Sequence, residues 1–262
     1  MDEAKEQART VWGTGDYSHF SRQLEQASVE LVRASGMGSG DSVLDVAAGD
    51  GNLALAAARA GARVVATDFS DVMVENGRRR TADAGVAVEW RAADAEDLPF
   101  DDDSFDYVTS VFGAMFAGAQ EKAAAELFRT VRPGGTVATT AWTPEGQFGG
   151  LFEILDTYGP PSEPDEPDPL RWGTEDGVRA LFPDASSIDF RRLDVTFSYP
   201  SWDAAVDTLE AHGVFVVLKR HMPPERYAAL MGAVADLTRK HDRGAEGAVV
   251  YDAEYLEALV RK

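Results

Sequence analysis

The chain has 262 residues, 44% of them hydrophobic, with 25 Lys+Arg against 45 Asp+Glu for a formal net charge of −20, and no cysteine. That apolar fraction is enough for the core of one large domain, the acidic balance disfavours nucleic acid and anionic membrane as partners, and the lack of cysteine excludes disulfides, thiolate nucleophiles and Cys-ligated zinc. The charged opening MDEAKEQART has no apolar core, and no run approaches the roughly eighteen apolar residues of a membrane span, so a soluble cytoplasmic protein is expected.

In chain order, Trp12-Gly13-Thr14-Gly15-Asp16-Tyr17 reads as a loop or short lid. Residues 18 to 35 then place Phe20, Leu24, Ala27, Leu31 and Val32 on one helical face, with Gly36 as a stop, which predicts a single helix. The most informative stretch runs from Val43 to Asp68. An apolar run, Val43-Leu44-Asp45-Val46, breaks into Ala47-Ala48-Gly49-Asp50-Gly51, an Ala/Leu-rich helix follows, Gly61 stops it, and Arg63 to Thr67 form a second strand that ends on Asp68. This is a βαβ unit of a nucleotide-binding sheet. Gly49 to Ala54 fit the dinucleotide pattern G-x-G-x-x-G/A, a weak signal alone, and Asp45 and Asp50 would repel a pyrophosphate that seeks bare N–H groups. A cationic ligand carrying an adenosine, with its ribose accepted by Asp68, suits those acids better. S-adenosylmethionine, with sulfonium and ammonium charges, has that description.

Ser70 caps a predicted helix from Asp71 to Ala84, Val86 to Arg91 form strand three, and Asp94 stands at its end. Asp101-Asp102-Asp103 invite a metal reading, but consecutive side chains point apart and calcium loops need alternating ligands, so a solvated turn is expected and no metal. Strand four, Phe105 to Val111, delivers Phe112-Gly113-Ala114-Met115-Phe116 to the carboxyl edge of the sheet, where doubly wound folds bind ligands. A helix from Gln120 to Val131, a turn at Pro133-Gly134-Gly135 and strand five from Thr136 to Trp142 follow. Gly159 to Pro169 is too rich in proline for helix or central strand and reads as a stiff linker or flap. Beyond it come a short helix from Thr174 to Phe182, a strand with Leu193, Val195, Phe197 and Tyr199 alternating, helices from Ser201 to His212 and from Pro223 to Lys240, and a last strand within Ala248 to Arg261.

These residues resemble motif I of the class I S-adenosylmethionine-dependent methyltransferases, written acid-x-Gly-x-Gly-x-Gly. Asp45, Gly49 and Gly51 are in place; Ala47 stands where the first glycine is common, a departure expected to be mild because alanine tolerates all but positive φ. Asp68, Ala93-Asp94-Ala95-Glu96, Phe105-Asp106-Tyr107-Val108 and Arg132-Pro133-Gly134-Gly135 match in order. The resemblance is strong from about Asp41 to Trp142, and is to the small-molecule branch that includes the ubiquinone/menaquinone-type enzymes. It implies a Rossmann-like α/β fold, a doubly wound seven-stranded sheet with the last strand antiparallel and an inserted helical cap. The parts would be a lid and helix over 1–36, the cofactor-binding core over 37–147, a cap with strand six over 148–247, and a returning strand over 248–262. It further implies that Tyr17 and Trp12 fold over the cofactor, that Asp45, Ala47, Gly49, Asp50 and Gly51 cradle it, and that Asp68 and Phe69 flank its ribose. Met73 would pack on the adenine, Asp94 with Ala95 and Glu96 would accept the adenine amino group, and Val111, Phe112 and Phe116 would close the site from strand four.

The leading expectation is methyl transfer to an O, N or C nucleophile of a small, partly apolar molecule, enclosed by some of Trp12, Phe112, Phe116, Trp142, Phe148 and Trp172. Its competitors are a cyclase or scaffold that keeps the fold and cofactor without transfer, and a nicotinamide-dependent oxidoreductase. Any general base is expected at His19, two residues after the lid tyrosine, rather than at His212, His221 or His241, which read as helix ends and loop. The acceptor is the one partner implied, with a monomer or homodimer equally compatible.

Overall fold

A computed structural model of the chain describes residues 3 to 160 and 167 to 262; positions 161–166, the centre of the expected proline-rich linker, lie outside the described residues. Strand β1 (Ser42–Val46) is buried on both faces, as an apolar run in a central parallel strand must be. Its alternate residues serve two layers. Val43 joins a core with Leu31, Leu53 and Ala57, whereas Leu44 and Val46 join one with Val108, Leu127 and Val137.

Strands β2 (Arg63–Asp68) and β3 (Val88–Ala92) extend the sheet on one side of β1; β4 (Phe105–Val111), β5 (Val131–Trp142), β6 (Ser187–Tyr199) and β7 (Val249–Arg261) lie on the other, in the order β3-β2-β1-β4-β5-β7-β6. β7 runs antiparallel to both neighbours, so the expected seven-stranded, doubly wound sheet is the one that forms. The order reverses between β1 and β4, which leaves a crevice at their carboxyl ends.

Several elements depart from the sequence expectation. Glu3–Trp12 form a helix, α1, where only a charged opening was legible. The expected single helix over 18–35 is two, α2 (Ser18–Gln23) and α3 (Glu25–Ser35), because Leu24 ends one and starts the other while burying its side chain in the core. β5 starts earlier than expected, and Arg132 to Gly135 bulge out between the pairs Phe105 with Val131 and Tyr107 with Thr136. Finally, Gly213–His221, read as a connection, form a helix, α10, between α9 (Trp202–Ala211) and α11 (Pro224–His241).

The remaining helices are α4 (Asn52–Arg59), α5 (Asp71–Asp83), α6 (Gln120–Thr130), α7 (Gln147–Tyr158) and α8 (Glu175–Leu181). α10 and α11 share a core of Phe215, Leu218, Tyr227 and Leu230 with Leu151 and Ile154 of α7, which makes the cap. The N-terminal segment is docked to that cap by backbone contact. Asp16 N–H donates to Ala211 O at 2.9 Å, and a Cβ at Gly15 or Gly213 would sit 2.1 Å from Ala211 O or 2.0 Å from Val11 O.

On α5, a Cβ at Gly77 would lie 2.1 Å from the buried Trp90 ring, whose Nε1–H donates to Thr81 Oγ1 at 3.1 Å. Alanine gains about 1 kcal/mol of helix propensity, while overpacking costs about 1–3 kcal/mol. Gly77→Ala should therefore lower the urea midpoint by an amount worth up to about 2 kcal/mol. A raised midpoint would contradict this packing of α5 on β3.

Candidate active site

The turn after β1 must satisfy the free N–H groups that open α4. Gly51, the N-cap, has no side chain to accept them. Asp45 does so from within β1: its Oδ2 accepts Ala54 N–H at 3.1 Å, and its Oδ1 accepts the Thr109 hydroxyl of β4 at 3.2 Å. Asp68, ending β2, accepts Gly49 N–H at 2.9 Å on one oxygen and Ser70 N–H at 2.9 Å on the other. Both are nearly sealed from solvent, at 1% and 6% exposed. Burial pushes Asp45 up to about 7 and Asp68 up to about 6, against the opposing pull of those hydrogen bonds. Among the described residues, neither has a Lys or Arg within ion-pair distance.

One expectation for this turn is corrected. Ala47 adopts φ 53°, the region that disfavours a Cβ, so its replacement of a glycine is a strained substitution and not a mild one. Phe112, at the end of β4, is also left-handed at φ 55°, and a Cβ at the following Gly113 would sit 2.6 Å from Ala47 Cβ. The two turns are pressed together at the switch point. Asp50, expected to face the ligand, lines the cleft under the lid while accepting the Ser21 hydroxyl at 2.5 Å and pairing with Arg80 at 3.1 Å, so its charge is balanced from α5.

Helix α1 lies across the ends of β2 and β3. Lys5 pairs with Asp94 at 2.7 Å and Glu96 at 2.5 Å, and the Arg9 guanidinium stands 6.0 Å from the Phe69 ring centre. Glu96 also accepts Ala119 N–H at 2.8 Å, and Ala95 packs half-buried against the core. Tyr17 covers the glycine turn, its Cε1 3.8 Å from where a Cβ of Gly49 would be. A cleft of about 420 Å³ between the lid turn and α5 reaches Tyr17, Asp50 and the buried Met73. Lys5 and Arg9 were missed; their signal is the spacing of Lys5, Arg9 and Trp12 along one helical face.

Three of the rings expected to line a cavity pack on one another, and of them Phe148 also faces a small cavity on the cap side. Phe112 stacks on Trp142 at 4.1 Å and Trp142 on Phe148 at 4.0 Å, nearly parallel, so the flat faces that would line a void cover each other. Trp172 is 1% exposed, its ring edge-on to Phe182 at 5.8 Å. Phe116 is 37% exposed and lies against Trp12 at 5.1 Å, while Val111 is half-buried at the end of β4.

His19, the expected base, is exposed on α2 and lies outside the ring cluster. The histidine at the lid is His212, 5.5 Å from Trp12, 5.4 Å from Tyr17 and 5.3 Å from Phe20. Its Nδ1 accepts Val214 N–H at 3.3 Å as the N-cap of α10, and burial lowers its pKa to about 4. At neutral pH it is therefore an uncharged ring with its proton on Nε2.

A methyltransferase-domain family model matches residues 43–135. Over 190 residues the chain is 42% identical to an uncharacterized protein of Mycobacterium tuberculosis, spanning 72% of this chain and 69% of that one. Over 109 residues it is 49% identical to a demethylmenaquinone methyltransferase of Clavibacter sepedonicus, spanning 42% of this chain and 44% of the other. The chain belongs to the class I S-adenosylmethionine-dependent methyltransferases. Like other members of that fold it superposes on YcgJ of Bacillus subtilis, with a TM-score of 0.64 at 18% identity over 90% of this chain and 99% of that one. The methyltransferase cofactor, S-adenosylmethionine, is cationic, and the two buried carboxylates without cationic partners at the switch point fit such a group. Among the described residues no cluster of His, Asp or Glu could hold a metal ion, and no helix is long and apolar enough to cross a membrane.

Because both carboxyls are raised above their ordinary value of 3.8, the folded protein holds more protons than the unfolded chain between about pH 4 and 7. The stability these two groups contribute is full below about pH 4 and is lost as pH rises through about 6 and then 7. Carboxyl-carbon NMR titration of the free methyltransferase should give both midpoints well above 4; midpoints at or below 4 would contradict the burial argument.

Proposed function

We propose that the enzyme transfers the methyl group of S-adenosylmethionine to an O, N or C nucleophile of a small, partly apolar molecule held at the crevice between β1 and β4, beneath the lid. The observation that carries this reading is the pair of buried, uncompensated carboxylates, Asp45 and Asp68, that hold the glycine turn covered by Tyr17. When bound, the cofactor supplies a methyl already activated by a sulfonium.

The chain's own contribution follows from its geometry. Asp45 keeps the turn in shape, and the lone pairs of Asp68 left over from Gly49 and Ser70 accept the ribose hydroxyls. Phe69 and Met73 flank the adenine, and Asp94 accepts its amino group, sharing or releasing Lys5 to do so. Tyr17, Trp12 and Phe116 exclude water. With His19 in solvent and His212 able to donate from Nε2 but not to abstract, no imidazole serves as base. Catalysis rests on alignment, which can supply about 7–11 kcal/mol. A nicotinamide dinucleotide would set its pyrophosphate against the same two carboxylates, which disfavours that alternative even though Asp50 is neutralised.

Calorimetry should find S-adenosylmethionine binding that tightens from pH 5 to pH 7.5, as Asp68 ionises toward the donors it faces. Asp68→Ala should weaken binding by about ten- to a hundredfold, equivalent to about 1.5–3 kcal/mol. An unchanged dissociation constant would place the ribose elsewhere.

A further inference from the structure

Lys5 of α1 is held by two acids at once. Its Nζ donates to Asp94 Oδ2 at 2.7 Å and to Glu96 Oε2 at 2.5 Å. The two acids are not equivalent. The Glu96 side chain is 7% exposed and its Oε1 accepts Ala119 N–H, whereas the Asp94 side chain, just beyond β3, is 35% exposed. The other Asp94 oxygen, Oδ1, is turned to its own loop and accepts Glu96 N–H at 3.0 Å. Oδ2 is thus the oxygen that Asp94 has left for a donor from outside the loop, and Lys5 holds it.

Asp94 belongs to the cofactor edge of the sheet. Ala93 N–H donates to Asp68 O at 3.0 Å, so Asp94 follows directly on a backbone bond to the ribose acid. One turn along α1 from Lys5, the Arg9 guanidinium stands 6.0 Å from the centre of the Phe69 ring. Helix α1 therefore crosses both Asp94 and Phe69, which flank the adenine. Burial would lower the Lys5 pKa, but the hydrogen bonds to Asp94 and then Glu96 hold it above its ordinary value, so Lys5 is an ammonium at neutral pH.

We infer that Lys5 gates the adenine end of the cofactor site: it holds Asp94 Oδ2 while the site is empty, yields that oxygen to the adenine amino group, and keeps Glu96 throughout. This deepens the methyl-transfer reading and rests on it. The adenine amine brings a dipole where Lys5 brings a full charge, so part of what the ligand gains at Asp94 is cancelled by parting the ion pair. Asp94 and Glu96 both lie within hydrogen-bond distance of one nitrogen and repel each other without it, and the better-buried Glu96 is the acid that Lys5 retains. Cofactor and demethylated product carry the same adenosine, so the gate weakens the hold on both by the same factor.

The test is a cycle between Lys5 and the amino group. Calorimetry on the full chain compares S-adenosylhomocysteine with its 6-deamino analogue, in which hydrogen replaces the amine. Lys5→Met should raise the preference for the amino ligand by about three- to fivefold, the most that a part-exposed ion pair is worth. Binding of the deamino analogue shows that the variant is folded. Any loosening of α1 through the lost Glu96 bond weakens both ligands alike and cancels in the ratio, so a lysine that merely anchors the helix leaves the ratio unmoved. Asp94→Ala should abolish the preference whether or not Lys5 is present. An unchanged or reduced ratio in Lys5→Met, or a preference that survives Asp94→Ala, would overturn the inference. Failure of the unaltered chain to bind either ligand would instead sink the methyl-transfer reading, and the two failures are seen separately.

Discussion

The structure depends on satisfying the backbone N–H groups of a turn whose own residues cannot do it. Gly51 starts α4 without a side chain, and Gly49 turns toward β2, so the acceptors come from the strands beneath: Asp45 for Ala54 and Asp68 for Gly49 and Ser70. Holding two carboxylates where water cannot reach them is costly, which is why their pKa values rise. The same arrangement places unbalanced negative potential at the point where the strand order reverses. Structural need and cofactor preference are met by the same pair of side chains. The left-handed Ala47 and Phe112, pressed together through Gly113, add backbone strain at that spot, of about 1–3 kcal/mol for each residue.

Lid and cap meet by backbone contact over this edge. Gly15 and Gly213 let the N-terminal backbone lie against the junction of α9 and α10. The attachment of α1 to the sheet is weaker. Lys5 and Asp94 are each about a third exposed, so that ion pair is worth no more than about 1 kcal/mol. A ligand competing for Asp94 can draw it from Lys5 at small cost while Lys5 keeps the more buried Glu96, whereas displacing the cap would break backbone contacts and the ring cluster around His212.

Much of the sheet could be read from the chain because buried parallel strands are written as apolar runs and their turns as glycines; Val43 to Asp68 carries both. Ala47 misled because the backbone angle it must adopt has no letter of its own. Helix α1 was hidden by its charge, since its packing residues are the stems and heads of Lys5 and Arg9 rather than a run of leucines. Proximity in sequence favoured His19, next to Tyr17, yet the ring that meets Tyr17 is His212, brought there by a tertiary contact that no local pattern encodes. The aromatic residues at the strand ends were foreseen as a group, but whether Phe112, Trp142 and Phe148 line a space or fill it depends on ring angles, and at 17° and 7° between neighbours they fill it. Cap residues such as Gln147 belong to no motif.

The central claim is that the cofactor lies at the carboxyl ends of β1, β2 and β3, under the N-terminal helix. Hydrogen exchange with and without S-adenosylhomocysteine tests it most directly, because it reports on every backbone segment at once. The account requires slowed exchange in residues 45–51, 68–73 and 92–97, together with slowed exchange in α1 as the lid settles on the ligand. Protection confined to other segments, with the glycine turn and α1 unchanged, would contradict it.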